Sequence, residues 1–250
     1  LDERVAIVTG AGSGIGAAAA RLLASHGLAV VLVGRRAETL EAVAAEIGQR
    51  ALPVPADLSE PNAPREIVDR VLAETGRLDV IVNSAASLKL HLIEEVSREE
   101  FDDHFAVNVR APYFLVQAAL EPLRASPAPV VVNLSSAAAV MYRPRQTLYG
   151  LTKAAIEHMT MNLAAELAPH RIRVNCVRPG PVATPIHTQA VADPEARLRE
   201  LGALVPLGRV GEAEEIARWI WHVVDSDAEW VTGSILTIDG GRILGPPPVS

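Results

Sequence analysis

A chain of 250 residues has room for one large α/β domain or two small ones, and either buries a substantial core. A formal net charge of −7 excludes global attraction to nucleic acid or anionic membrane, and no apolar run is long enough to span a bilayer. Aromatic residues make up only 4%, so the core must come from Ala, Val, Leu and Ile, which suits a sheet covered on both faces by Ala-rich helices.

The single cysteine, Cys176, has no internal disulfide partner and sits in the strand-like "RVNCV", so it is expected to be core and the compartment reducing. Seven scattered histidines form neither an HExxH pair nor a Cys/His cluster, and no metal site is expected. Leu1 leads almost directly into a strand without an initiator methionine, and a soluble cytoplasmic protein without a signal peptide is expected.

In chain order, "RVAIVTG" is an apolar run ended by glycine, and "IGAAAARLLASHG" follows as a helix with Gly27 as its C-cap. "LAVVLVG" reads as a strand, "AETLEAVAAEIG" as a helix and "RALPVPAD" as a short strand. "EPNAPREIVDRVLAETG" is helical with prolines in its first turn, and "LDVIVNSA" is another buried strand. "REEFDDHFAVNVRAPYFLVQAALEPLRA" is a long helical stretch in which Pro112 predicts a bend or a break. "PAPVVVNLSS" is the fifth strand, the helix containing "TLYGLTKAA" runs to about Ala168, and "HRIRVNCVRPG" is the sixth strand. "EAEEIARWIWHVVDS" and "GSILTIDGG" are the last helix and strand, and the tail "GPPPVS" continues neither.

This alternation predicts one domain over 1–250, a Rossmann-type doubly wound parallel sheet of about seven strands with helices on both faces. The irregular stretch 181–211 is long for a connection, and a substrate lid is expected there.

"TGAGSGIG" lies between the first strand and first helix, where such a sheet binds phosphates. Its spacing is Gly10-x-x-x-Gly14-x-Gly16, which departs from G-x-G-x-x-G, and a tight structural turn uses the same residues. Tyr149 and Lys153, four apart on a helix, share a face and reach one point in space; the same spacing also serves two surface side chains with buried stems. At the end of the second strand, Gly34 stands where a site selective for NAD carries an acid, and Arg35 and Arg36 follow, as suits a ribose 2′-phosphate. NADP(H) is therefore expected over NAD(H), with Arg35 as principal contact.

The glycine loop, "VNSAA", "VNVRAP", "VNLSS", "YGLTK", "RVNCVRPGPVAT" and "VTGSILTIDGG" follow one another as in the short-chain dehydrogenase/reductase family, which the chain resembles over essentially its whole length. The resemblance implies an oxidoreductase moving hydride between a nicotinamide and a ketone or secondary alcohol, with Asn108, Ser136, Tyr149 and Lys153 as catalytic residues. Tyr149 would be the general acid/base, Ser136 would bind the developing oxyanion, and Asn108 would hold a water linking Lys153 to solvent, unless its amide only satisfies backbone groups. Ser135 is expected to be structural.

Free tyrosine, with a pKa near ~10, needs ~4 kcal/mol of preferential phenolate stabilisation to reach neutrality, about what one ammonium at ~4 Å provides. Lys153 is the expected source, and the resemblance adds that it holds the nicotinamide ribose.

Further implied cofactor contacts are Gly10, Ser13, Gly14, Ile15 and Gly16 in the first loop, and Asp57 and Leu58 at the adenine. Asn83 and Ala85 would serve the ribose end, and Pro179, Gly180, Val182 and Thr184 the nicotinamide. Ser84 and Ala86 stand where the family has Asn and Gly; the added Cβ of Ala86 is expected to shift cofactor seating without abolishing binding, and Ser87 is shared with pteridine reductases. Pteridine or 3-oxoacyl reduction and a non-catalytic NADP-binding regulator are the alternatives. The expected substrate wall is Leu88, Leu90, Met141, Tyr142, Leu148 and Ile186, with Arg143 and His187 as polar handles. A homotetramer or dimer completes the expectation.

Overall fold

In the computed structural model, which describes residues 3–188 and 191–246, the apolar runs pair into a wholly parallel sheet. Its strands are β1 (Val5–Thr9), β2 (Ala29–Gly34), β3 (Ala51–Pro55), β4 (Val80–Asn83), β5 (Val130–Leu134), β6 (Arg173–Pro179) and β7 (Ile235–Ile238), in the order β3-β2-β1-β4-β5-β6-β7. Successive side chains point to opposite faces: Ala6 and Val8 enter one core, Val5 and Ile7 the other. With both faces covered, every residue of β1, β4 and β5 is buried, which is why those strands read as unbroken apolar runs. Pro53 and Pro55 are tolerated because β3 is an edge strand.

Helices α1 (Gly14–Ser25) and α2 (Ala37–Ile47) cover the first face, and α3 (Ala63–Thr75) the second. The stretch expected as one long helix is four pieces: α4 (Arg98–Phe105), a π-turn at Ala106–Arg110, α5 (Ala111–Ala118) and α6 (Leu120–Ala125). Pro112 has no N–H for the carbonyl of Asn108, and Pro122 none for that of Ala118; the helix widens before the first and breaks before the second. α7 (Thr147–Leu167) joins α3 on the second face.

The excursion 181–211 contains α8 (Pro185–Thr188) and α9 (Pro194–Gly202), while Gln189 and Ala190 lie outside the described residues. Its base is closed: Gly211 N–H donates to the Pro181 carbonyl at 2.9 Å and Ala183 N–H to the Gly211 carbonyl at 2.8 Å. α10 (Ala213–Val224) packs beside α1 on the first face. Leu1, Asp2 and the last four residues of the tail are likewise outside the described part. Among the described residues no helix is long and apolar enough to cross a membrane.

Connections leave in opposite directions from β1 and β4, so their carboxyl ends open the crevice in which doubly wound sheets bind ligands.

Candidate active site

A cleft of about 820 Å³ runs along the carboxyl edge of the sheet. At its centre the chain turns from β1 into α1 with Gly10 at φ +69°, and a Cβ there would lie 2.9 Å from the Ala85 backbone. A Cβ at Gly16 would overlap the Gly10 carbonyl, so α1 can start close under the strand only with glycine. The first turn of α1 has no acidic residue and no side-chain cap, which leaves its N–H groups and positive dipole end facing the cleft. Such a cradle fits a pyrophosphate.

Toward β2 and β3 the cleft is lined by Gly34, Arg35, Arg36, Asp57 and Leu58. Arg35 and Arg36 are exposed, and the positive charge of Arg35 reaches Asp57. Asp57 accepts from Ser59 N–H at 2.9 Å and Ser59 Oγ at 2.8 Å, bonds that hold its carboxyl below the usual range. Asp57 does not cap α3, whose N-cap is Asn62.

At the opposite end, Ser136, Tyr149 and Lys153 line the cleft together. β5 ends at Leu134, so Ser136 is the second residue beyond it, while α7 supplies the other two on one face. Ser136 hydrogen-bonds the Tyr149 hydroxyl. The Lys153 Nζ lies 5.7 Å from the centre of the Tyr149 ring and donates to the Leu134 carbonyl at 2.8 Å. Burial pushes the tyrosine up to about 12, with the Ser136 bond acting the other way, and pushes Lys153 down to about 8. The expectation that Lys153 lowers the tyrosine is therefore not met by the chain's own groups: removing a phenolate from water outweighs them.

Asn108 does not line the cleft. In the π-turn, its Oδ1 accepts from Ser87 N–H at 2.7 Å, and its Nδ2 donates to the Ser87 carbonyl at 2.9 Å and to Thr152 Oγ1 at 3.0 Å. The amide thus ties the chain after β4 to α7. Asn83 is also buried behind the edge, donating to Asn133 at 2.9 Å. Ser13, Gly14, Ile15, Ala85, Pro179, Gly180, Val182 and Thr184 all line the cleft. Ser135 is structural as expected, its hydroxyl donating to Glu157 at 2.6 Å, and Cys176 is buried core.

The expected apolar wall is only partly there. Leu88 and Ile186 line the cleft, with Arg143, Gln146 and His187, but Leu90 and Tyr142 point to solvent, Leu148 packs inward, and Met141 is elsewhere. Gly12 and Thr39 also line it, yet sequence reading passed over them. The signal was the extra glycine inside "TGAGSGIG": a Cβ at Gly12 would collide with the Thr39 side chain.

Residues 10–242 match the family model described as enoyl-(acyl carrier protein) reductase. The chain is 35% identical over 244 residues to a cyclopentanol dehydrogenase of a Comamonas species, covering 96% of this chain and 97% of that one. A short-chain dehydrogenase/reductase from Serratia marcescens superposes with a TM-score of 0.89 at 33% identity, over 96% of this chain and 98% of the other. A 3-ketoacyl-(acyl-carrier-protein) reductase from Brucella melitensis, in complex with NADH, gives 0.88 at 33% identity with the same coverage.

Proposed function

This chain belongs to the short-chain dehydrogenase/reductase family of oxidoreductases acting on C=O and CH–OH groups, and from that premise we propose that it moves hydride between NADP(H) and a ketone or secondary alcohol, with Tyr149 as general acid/base. The observation that carries this reading is one continuous cleft with a glycine cradle and Arg35 at one end and Ser136, Tyr149 and Lys153 at the other.

NADPH, when bound, supplies the hydride. The glycine turn and the start of α1 would hold its pyrophosphate, and Arg35 would hold its 2′-phosphate. Ser136 donates a hydrogen bond to the carbonyl oxygen as negative charge develops there. Tyr149 gives that oxygen its proton while the carbon gains the hydride, producing an alcohol, and oxidation returns both by the same route. A hydroxyl held near 12 is a competent proton donor at neutral pH. Lys153 places a positive charge beside the ring and limits the cost of the phenolate that remains. The Asn108 amide is committed to Ser87 and Thr152, so the water linking Lys153 to solvent rests on its main-chain carbonyl, whose usual partner position is Pro112.

The stretch 181–211 closes over the substrate as a lid, since His187 and Ile186 on α8 already line the cleft. A homotetramer or dimer is supported by Phe101, Tyr113 and Phe114 on α4 and α5 and by Leu151 and Met161 on α7, all exposed apolar side chains. The buried free Cys176 suits the cytoplasm. The intact Ser136, Tyr149 and Lys153 set speaks against a non-catalytic regulator. Nicotinamide absorbance followed over a panel of ketones, secondary alcohols and pterins tests the reading; a ketone or alcohol is expected to be turned over, and no turnover of any member would overturn it.

A further inference from the structure

The wall of the cleft beside Tyr149 carries positive charge that the chain does not neutralise. Arg143 lies in the loop between β5 and α7, six residues before Tyr149, and lines the cleft with Ser136, Gln146 and His187. It is partly buried, and among the described residues its guanidinium makes no ion pair or side-chain hydrogen bond. The charges that act on it are positive: Arg242, on the turn after β7, and Arg197 of α9. Arg242 adds a buried Nε without a hydrogen-bond partner. Arg197 is held at 3.2 Å by Glu200 on the exposed side of its helix.

His187 adds no charge of its own. Burial, with Arg143 and Arg197, pushes it down to about 4, so it faces the same space as a neutral ring. Two carboxylates line the cleft, Asp57 and Asp103, and neither is among the charges acting on Arg143. Desolvated guanidinium groups in proteins are normally paired. The cleft that Arg143 lines gives an anion a way to reach it. A guanidinium offers parallel N–H donors that match the oxygens of a carboxylate or a phosphate.

We propose that the substrate carries an anionic group, a carboxylate or phosphate, held by Arg143 with Arg242 behind it, while its carbonyl lies at Ser136 and Tyr149; this deepens, and rests on, the hydride-transfer reading above. The arginine sets which ketones are taken. A neutral ketone leaves Arg143 and Arg242 desolvated and unpaired once the lid covers them, and an anionic one does not.

Matched pairs test this: keto acids against their amides, and phosphorylated against unphosphorylated hydroxyketones, with parent and Arg143→Gln enzymes. The parent is expected to favour the anionic member of at least one pair by tenfold or more in kcat/KM, chiefly through KM, because the contact exists before and during hydride transfer. The pair that shows the preference identifies carboxylate or phosphate. In Arg143→Gln the preference should collapse toward unity, and Arg143→Lys should recover part of it.

Equal kcat/KM within every pair in the parent overturns the inference while leaving the hydride-transfer reading standing. So does an Arg143→Gln enzyme that binds NADPH tenfold more weakly in a fluorescence titration, which makes Arg143 a cofactor contact. If no ketone of either charge is turned over, the hydride-transfer reading fails, and calorimetric titration with benzoate and benzamide decides the anion site separately. Benzoate binding lost in Arg143→Gln supports it; equal affinity for both compounds, or none for benzoate, overturns it.

Discussion

Glu157 and Arg178 face each other between α7 and β6 through two hydrogen bonds, from Nε to Oε1 at 2.7 Å and from Nη2 to Oε2 at 2.6 Å. Glu157 stands one turn beyond Lys153, and Ser135, the neighbour of Ser136, donates to the same carboxylate. Arg178 also donates to Thr237 on β7 at 3.0 Å. The pair therefore fastens the helix carrying Tyr149 and Lys153 to β6, and the Ser135 bond ties the same carboxylate to the end of β5 beside Ser136. Glu157→Ala would leave a nearly buried guanidinium unpaired, at an expected cost of about 2–4 kcal/mol. The urea unfolding midpoint measures it, and a loss within about 0.5 kcal/mol, the range of an ordinary surface change, would remove the pair from any structural role.

Tyr149→Phe keeps the ring under Lys153 and deletes the proton donor. Turnover should fall by well over tenfold while NADPH affinity stays close to that of the parent. A variant retaining more than about a tenth of kcat, a loss under ~1.4 kcal/mol, would mean that another group protonates the oxygen.

The two buried groups give the reaction different pH dependences in its two directions. Tyr149 stays protonated up to about 12, so it does not limit reduction, whereas Lys153 loses its charge through about 8. Reduction should therefore be flat below pH 8 and fall above it, and oxidation, which needs the phenolate beside a charged Lys153, should rise toward pH 8 and level off above it. The same shift affects stability. With Lys153 lowered from 10.5 to about 8, the unfolded chain binds more protons between about pH 8 and 10, so the penalty of burying the ammonium is full below 8 and fades as pH rises. Its ceiling is ~3 kcal/mol. Lys153→Met also leaves the Leu134 carbonyl unpaired, costing ~1–2 kcal/mol, so a net gain of ~1–2 kcal/mol is expected at pH 7. Thermal unfolding of the inactive variant at pH 7 and 9.5 is the check; a midpoint below the parent at pH 7 contradicts the prediction.

What was legible in the sequence followed from local rules. Strands buried on both faces appear as apolar runs, and a helix start behind a glycine turn marks a phosphate cradle, so the sheet and the cofactor end could be read residue by residue. Contacts between distant elements could not. Nothing in the spacing of Ser87 and Asn108, or of Glu157 and Arg178, says that they meet, because parallel strands bring together residues separated by whole βα units. The substrate wall was misread for a related reason: loops have no period, so Leu90 and Tyr142 gave no sign that they face solvent. The tyrosine shift was misjudged because a Coulomb estimate for one neighbouring ammonium omits the cost of taking the phenolate out of water.

Oligomerisation is expected through α4, α5 and α7. Phe101, Tyr113, Phe114, Leu151 and Met161 are each roughly half exposed, which is costly for residues of their size if no partner covers them. Light scattering at micromolar concentration should give a dimeric or tetrameric mass. Leu151→Glu together with Phe114→Glu should shift it downward, and a parent that is already monomeric refutes the assignment.

Cofactor preference turns on three consecutive residues. An enzyme selective for NAD(H) places a carboxylate at the end of β2 to accept from the ribose 2′-hydroxyl, and the same carboxylate repels a 2′-phosphate. Here that position is Gly34, and Arg35 follows as the first residue beyond the strand, exposed along the cleft. Arg36 occupies the N-cap of α2, where a cation opposes the helix dipole unless an anion is bound nearby. Among the described residues, neither arginine has a carboxylate within ion-pair distance, so both are available to a phosphate. Charge-assisted hydrogen bonds contribute roughly 1.5–3 kcal/mol, which corresponds to about a 10- to 150-fold preference for NADP(H). Gly34→Asp with Arg35→Leu should invert it. The new side chain can be accommodated: a Cβ at position 34 would lie 3.3 Å from Leu40 Cδ2, a contact that a small shift of one leucine methyl relieves. Steady-state kinetics with both cofactors is the measurement. Equal kcat/KM for NADH and NADPH in the parent would mean that Arg35 solvates the start of α2 and selects nothing.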